Sequence, residues 1–300
     1  MTIIHRVAQP KDIERLSAML DAEFIFGKGR KTSIAQRFPS TLSVANVGNI
    51  FLAEENANIV SAFLCKRFAW HQQSRIWQGA MVGSVYSAPK RRGEGIGSAL
   101  MKWGMQALQD SGVEFGVLWT TQAKFYERLG WTVADTGVFG SSDSDAVAGD
   151  SLDSISVMPL PMSDERVIND IRSRDIDEWV ARQTLDYFQQ PIPAENVDAL
   201  FWSDEGEPSS YALLGRVGAT GILYEMVGSE NGYADLWECI RQRHKKIMIN
   251  DSVNSSSYKW LSKHTDIVWE EKKLAMWLPL SSELDMATMS NWYIPYFDRI

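Results

Sequence analysis

Apolar and polar positions change period several times along the first half of the chain. Residues 2–8 read as a short strand, and Pro10 then opens a helix whose apolar positions Ile13, Leu16, Leu20 and Phe24 recur at helical spacing. Ile50 to Glu54 and Ile59 to Phe68 are strand-like runs. Asn56, Ala57 and Asn58 between them suit a tight hairpin, and Ile76 to Tyr86 extends the antiparallel meander. The period then returns to helical, with Ile96, Leu100, Trp103, Ala107 and Leu108 on one face and a stop near Ser111 and Gly112. A buried strand from Phe115 to Thr120, a short helix from Ala123 to Leu129 stopped by Gly130, and a strand from Trp131 toward Phe139 follow. Residues 140–153 are rich in Ser, Asp and Gly and read as an exposed loop. Ile155 to Leu160 then reads as the last strand of a first domain, closed by Pro159 and Pro161.

The second half repeats this order weakly. It offers a helix holding Ile176, Trp179 and Val180, a hairpin from Tyr211 to Val227, and a helix from Ala234 to Arg243. A strand from Lys246 to Asn250, a short helix near Tyr258 to Lys263 and a strand from Leu274 to Leu278 complete it. The match in element order predicts a degenerate second copy of the first fold. The expected organisation is therefore a domain over 1–161, a smaller related domain over 165–280 and a tail over 281–300. The tail carries the aromatic cluster Trp292, Tyr293, Tyr296 and Phe297, which has to dock against the body or stand as an exposed patch.

A length of 300 residues fits two compact domains, and 45% hydrophobic residues are enough to bury a core in each. Charge separates the halves: residues 1–150 carry 16 Lys and Arg against 14 Asp and Glu, while residues 151–300 carry 14 against 24. An acidic half repels phosphate backbones, which argues against a nucleic-acid partner and favours a cationic substrate. The N-terminal apolar run is broken by His5, Arg6 and Gln9, and no window approaches the length of a membrane span. The reading is a soluble cytoplasmic protein with no membrane partner. Cys65 and Cys239 lack metal or disulfide spacing, and His5, His71, His244 and His264 stand apart, so no metal is expected.

The chemistry concentrates between Val85 and Ser98. A strand end, Val85, Tyr86 and Ser87, runs through Arg91, Arg92, Gly93 and Gly95 into a helix that begins with Ile96, Gly97 and Ser98. The first turn of a helix has unpaired N–H groups and the positive end of the dipole. Glycines let a diphosphate approach that backbone, and arginines add charge-assisted hydrogen bonds. A glycine turn alone also fits a dinucleotide fingerprint or an ordinary turn. Here it follows an antiparallel meander rather than the first strand of a parallel unit, and no Lys-Ser/Thr pair closes it.

These residues resemble the GNAT superfamily of N-acetyltransferases, whose cofactor motif matches Arg92, Gly95 and Gly97, with Pro89 upstream. The family's second motif, an aromatic-tyrosine pair on a helix with a Gly-aromatic stop, is similar to Phe125, Tyr126, Gly130 and Trp131. The resemblance covers roughly residues 1–160. It implies an α/β (α+β) GNAT fold around a mixed, mostly antiparallel central sheet, with the second smaller GNAT-like domain behind it. It implies acetyl-CoA as cosubstrate, its diphosphate on the Arg92 to Ser98 turn and its pantetheine arm along Val85 to Ser87. Thr120, Thr121 and Gln122 stand where the family often has Asn, which departs from one customary cofactor contact.

In this family an amine attacks the thioester directly, and the position of Tyr126 is that of an acid for the departing thiolate. Phe125 and Tyr126 also fit simple packing of a short helix on the sheet. Glu54, Glu55 and His71 are base candidates by residue type, though each also fits a solvated strand position. Some tandem relatives bring the chain's terminal carboxylate into the active site, a role open to the tail ending at Ile300. The second half has Glu230 and no Arg where the cofactor turn falls, so one CoA site per chain is expected. The function expected is acetyl-CoA-dependent N-acylation of a small cationic amine, with a homodimer possible. The alternatives are a non-catalytic CoA-binding regulatory module, or an acyl or aminoacyl transferase with a different donor.

Overall fold

The computed structural model describes residues 2–143 and 154–300. Its first half runs β1 (Ile4–Val7), α1 (Ile13–Phe24), α2 (Ile34–Arg37), β2 (Ile50–Glu55), β3 (Asn58–Gln72), β4 (Arg75–Ser87), α3 (Ile96–Asp110), β5 (Phe115–Trp119) and α4 (Ala123–Glu127). Then follow β6 (Thr132–Val133), β7 (Gly137–Asp143), β8 (Ile155–Pro159), α5 (Glu165–Asp175), β9 (Glu178–Val180), β10 (Val197–Asp204), β11 (Glu207–Val217) and β12 (Thr220–Val227). The remainder is α6 (Glu230–Arg243), β13 (Lys246–Ser252), α7 (Ser256–His264), β14 (Val268–Glu271), β15 (Ala275–Pro279) and α8 (Met286–Met289).

Two mixed sheets result. The first is ordered β1-β2-β3-β4-β5-β15-β6, with β9 added on β3, and the second is ordered β14-β7-β13-β12-β11-β10-β8. The β2–β3 hairpin turns at Asn56 and Ala57, both at positive φ (50° and 63°), as the Asn-rich turn predicts. Helix α3 packs Leu100, Met101, Met105 and Leu108 on the first sheet, and α6 packs Leu236, Trp237 and Ile240 on the second. Each half thus has the helix-on-sheet arrangement that its periodicity requires. In each half the strand before the helix pairs in parallel with the strand after it, β4 with β5 and β12 with β13.

Residue 161 does not divide the sheets. The run from Trp131 toward Phe139, expected to be one strand, is two: β6 stays in the first sheet and β7 pairs with β13 and β14 of the second. The run at Ile155, expected to close the first domain, pairs with β10 of the second sheet. In exchange β15, expected in the second domain, lies between β5 and β6. Asp135 fixes this crossing. One carboxylate oxygen accepts the Gly137 N–H (2.8 Å), turning the chain toward the second sheet, and the other accepts the N–H groups of Leu274 and Ala275 (both 2.9 Å) as β15 enters. The expected helix at Ile176 to Val180 is corrected as well. Helix α5 ends at Asp175, and β9 pairs Glu178–Val180 with Gln72–Trp70. The loop expected over 140–153 is strand up to Asp143, and its remainder, 144–153, lies outside the described residues.

The tail docks. Trp292 is buried among Trp70, Trp77, Phe115 and Trp277, with ring centroids 5.1–6.3 Å apart. Asp298, also buried, accepts from Arg182 Nε (2.7 Å) and Arg172 Nη2 (3.4 Å), and Glu225 of β12 accepts from Arg182 Nη2 and the Tyr211 hydroxyl (2.7 and 2.8 Å). These buried charges neutralise one another, and removing any one strands its partner. The last residues are thereby held in one place.

Candidate active site

The site begins where a strand pair separates. Strands β4 and β5 pair only from Gly79–Phe115 to Met81–Val117, and beyond that they diverge. Pairing between β3 and β4 shifts register between Ala62 and Leu64, and Ser84 takes φ +49°, a costly conformation for a residue with a side chain. A cleft of about 1110 Å³ fills the gap. Its lower rim is the turn into α3, where Gly93 and Gly95 adopt φ of 89° and 79° and a Cβ on either would meet nothing within 4 Å. Gly95 caps α3 without a side-chain hydrogen bond, so the first N–H groups of the helix are left to an outside acceptor. Gly97 has a different task. A Cβ there would come 2.8 Å from Ser87 Oγ, so glycine lets α3 sit against the end of β4.

Two arginines flank the turn. Arg92 donates to the Ser87 carbonyl (3.1 Å) and pairs with Glu23 at the end of α1 (2.9 Å), and Arg91 pairs with Glu94 (2.8 Å) and Glu55. Such half-exposed pairs are weak enough to yield to a phosphate. On the opposite wall Phe125 and Tyr126 of α4 meet edge to face at 4.8 Å, and Tyr126 packs against Trp131 at 6.2 Å. Burial pushes the Tyr126 phenol up to about 12, which keeps its proton on at neutral pH. No hydrogen bond within the described residues engages its hydroxyl. All twelve site residues named from the sequence, Val85, Tyr86, Ser87, Arg91, Arg92, Gly93, Gly95, Ile96, Gly97, Ser98, Phe125 and Tyr126, line this one cleft. Thr120, Thr121 and Gln122 line it too, with Thr120 Oγ1 accepting the Gln122 N–H at 2.9 Å.

The three base candidates are elsewhere. Glu54 is tied to Arg6 (2.6 Å) and lies near Arg15, Glu55 is tied to Arg91, and His71 stacks on Trp179 at 4.4 Å between centroids. None of them lines the cleft. The cleft instead contains residues the sequence did not single out: Lys28 and Arg30 from the segment after α1, Trp119 at the end of β5, Ile192, and Arg299. No local motif marks them, since they converge from segments far apart in the chain. The tail does reach the cleft: the carbon and one oxygen of the Ile300 terminal carboxylate lie 3.2 and 3.1 Å from the point a Cβ on Gly83 would occupy. Glu23 is the one acidic side chain among the lining residues described, against Lys28, Arg30, Arg91, Arg92, Arg128 and Arg299.

The second half treats the corresponding turn differently. Ser210 Oγ accepts the Ser229 N–H (3.1 Å) and Ser229 Oγ accepts the Gly232 N–H (3.2 Å), so α6, unlike α3, begins with a side-chain cap. A Cβ on Gly228 (φ 137°) would lie 2.0 Å from Ser210 Oγ. The cavity beside it, about 480 Å³, is lined by Asp175, Asp177, Glu178, Glu225 and Asp251 against Arg172 and Lys259.

Among the described residues no cluster of His, Cys, Asp or Glu has the makings of a metal site, and no helix is long and apolar enough to cross a membrane. Cys65 and Cys239 are both buried and unpaired.

Residues 5–134 match the family model of the acetyltransferase (GNAT) domain. No curated protein matches the sequence of the chain. Among solved structures, a conserved protein of unknown function from Enterococcus faecalis superposes with a TM-score of 0.74 at 15% identity, over 93% of this chain and 73% of that one. A GCN5-related N-acetyltransferase from Anabaena variabilis gives 0.72 at 14% identity, over 93% and 73%. A tandem GNAT protein from the clavulanic acid biosynthesis pathway gives 0.58 at 12% identity, over 93% and 99%. Residues 5–134 thus match the GNAT acetyltransferases, a family that transfers acyl groups from acyl-CoA, and the whole chain has the two-sheet fold of a tandem GNAT protein.

Proposed function

We propose that the chain transfers an acetyl group from acetyl-CoA to an amine by direct attack, using a single site in its first half. The observation that carries this reading is the uncapped glycine turn at the head of α3, opening into the same cleft as the free hydroxyl of Tyr126. The N–H groups of that turn, with Arg91 and Arg92, would hold the diphosphate, and the diverging edge of β4 would hold the pantetheine arm. Acetyl-CoA supplies a thioester. The neutral amine attacks its carbonyl, a C–N bond forms as the C–S bond breaks, and the surplus ammonium proton leaves through water. Tyr126, protonated at neutral pH, donates a hydrogen bond toward the departing sulfur. Glu54, Glu55 and His71 take no part.

The free hydroxyl of Tyr126 favours catalysis over a purely regulatory CoA module. The second half acts as a wall of the cleft rather than as a second active site. The acceptor expected from overall charge, a small cationic amine, is opposed by the predominantly basic lining of the cleft.

Thiol release from acetyl-CoA over a panel of amines tests the reading. Tyr126→Phe should lower kcat by about tenfold or more, the usual scale for a lost general acid, with acetyl-CoA affinity retained. Unchanged turnover removes Tyr126 from the mechanism, and tight binding without thiol release for every acceptor favours the regulatory module.

A further inference from the structure

The arginines of the cleft differ in how they are partnered. Arg91 and Arg92 are paired with carboxylates at the rim. Arg299 forms no ion pair among the described residues, although it is half-buried. Its Nε donates to the Ile294 carbonyl at 3.0 Å, and its guanidinium carbon lies 4.8 Å from the ring centroid of Trp119, 5.3 Å from that of Tyr293 and 5.4 Å from that of Tyr296. Three rings and one backbone bond fix the plane of the group, leaving both Nη nitrogens without an acceptor among the described residues. Arg30 is also half-buried and, among the described residues, without a carboxylate, its Nη1 donating to the Phe24 carbonyl at 3.3 Å. Lys28 adds a third unpaired cation on the same segment.

Arg299 is placed to meet the acceptor. It is held through Trp119, the last residue of β5 where β4 and β5 have parted, and its neighbour Ile300 touches Gly83 on the other strand of the gap. The diphosphate turn lies further along β4, past Ser87. An immobilised guanidinium with two free N–H edges is the partner of a planar oxyanion.

Building on the acyl-transfer reading, we infer that the acceptor is an amine that also carries a carboxylate, held by Arg299, with Arg30 and Lys28 adding to the positive field. The amine and the carboxylate are separate groups of one small molecule. Discrimination therefore falls on the oxyanion and not on the reacting nitrogen.

The test uses the full chain saturated with CoA, titrated calorimetrically with amino acids of differing chain length and with their amides. Aminoalkyl phosphates form a second arm. The carboxylates should bind about tenfold or more tighter than the matched amides, since a site built for a charged partner leaves that partner's hydrogen bonds unmade in the analogue. Arg299→Gln should bring the ratio to within about twofold of one, and Arg299→Lys should restore part of it. Should Arg299→Gln loosen the tail and lower the melting temperature, the acid-to-amide ratio of the unaltered protein decides alone. Amides that bind as well as the acids, acids that do not bind at all, or a preference for the phosphates overturn the inference. CoA binding, measured first, separates the two readings. Failure to bind CoA removes acyl transfer and this inference with it, whereas CoA binding without carboxylate preference removes the inference alone.

Discussion

The two halves build the same unit, a strand, a helix and a parallel strand, and end it in opposite ways. In the first, the chain takes the whole stretch from Ala88 to Gly95 to pass from β4 to α3, and among the described residues no side chain caps the helix. In the second, Gly228 and Ser229 alone connect β12 to α6, and two serine hydroxyls accept the N–H groups of the cap residue Ser229 and of Gly232 in the first turn. The charges beside the two turns are opposite as well, mainly basic in one and mainly acidic in the other. What distinguishes the two turns is therefore not their topology. It is whether the protein leaves the donors of the helix to a ligand or satisfies them itself.

The sharpest way to break the comparison is one substitution in each turn. Gly228→Val puts a side chain at φ 137° and within about 2 Å of Ser210, where backbone and side chain both have to move. It should collapse the second half, seen as loss of the cooperative denaturation transition. Gly95→Val, at φ 79° with open space around the new Cβ, should cost only about 1–3 kcal/mol in stability. Its effect should fall on acetyl-CoA, with affinity lowered about tenfold or more because the side chain occupies the path of the phosphate. A stable Gly228→Val protein, or a Gly95→Val protein that binds CoA normally, contradicts the contrast.

A smaller effect sharpens the second half. Burial pushes the Asp251 carboxyl up to about 6, even though it accepts from the Ser252 N–H and the Ser257 hydroxyl (both 2.7 Å). An acid whose folded-state pKa is raised takes up protons more readily when folded. Its ionisation therefore costs nothing below the unfolded-state value near pH 4, and the cost is fully present above about pH 6. Asp251→Asn should raise the melting temperature at pH 7.5 by a few degrees and leave it unchanged near pH 4. An equal shift at both values removes the ionisation from the explanation.

Local chemistry was legible in the sequence, and long-range pairing was not. The glycine turn, the Phe125–Tyr126 pair and the hairpin at Asn56 are short segments whose residues fix their own geometry, and they lie where periodicity and motif put them. The exchange of β7 and β15 between sheets was invisible because either sheet buries the same alternation. What decides it is Asp135, which reads locally as a turn residue and acts on Leu274 and Ala275 in a distant segment. Residues 176–180 misled because Ile176, Trp179 and Val180 fit helical spacing, while pairing with Trp70 to Gln72 makes Glu178–Val180 a strand. Net charge hides a local sorting for a similar reason. The acidic residues of the second half line the other cavity, and the cleft draws its cations from the segment after α1 and from the tail.

The central claim is that a single turn, in the first half, takes the cofactor. Calorimetric titration of the full chain with acetyl-CoA measures it most directly. The account predicts one molecule bound per chain, with affinity reduced by Arg92→Glu. Two equivalents per chain, or one equivalent whose affinity ignores that change, would contradict it.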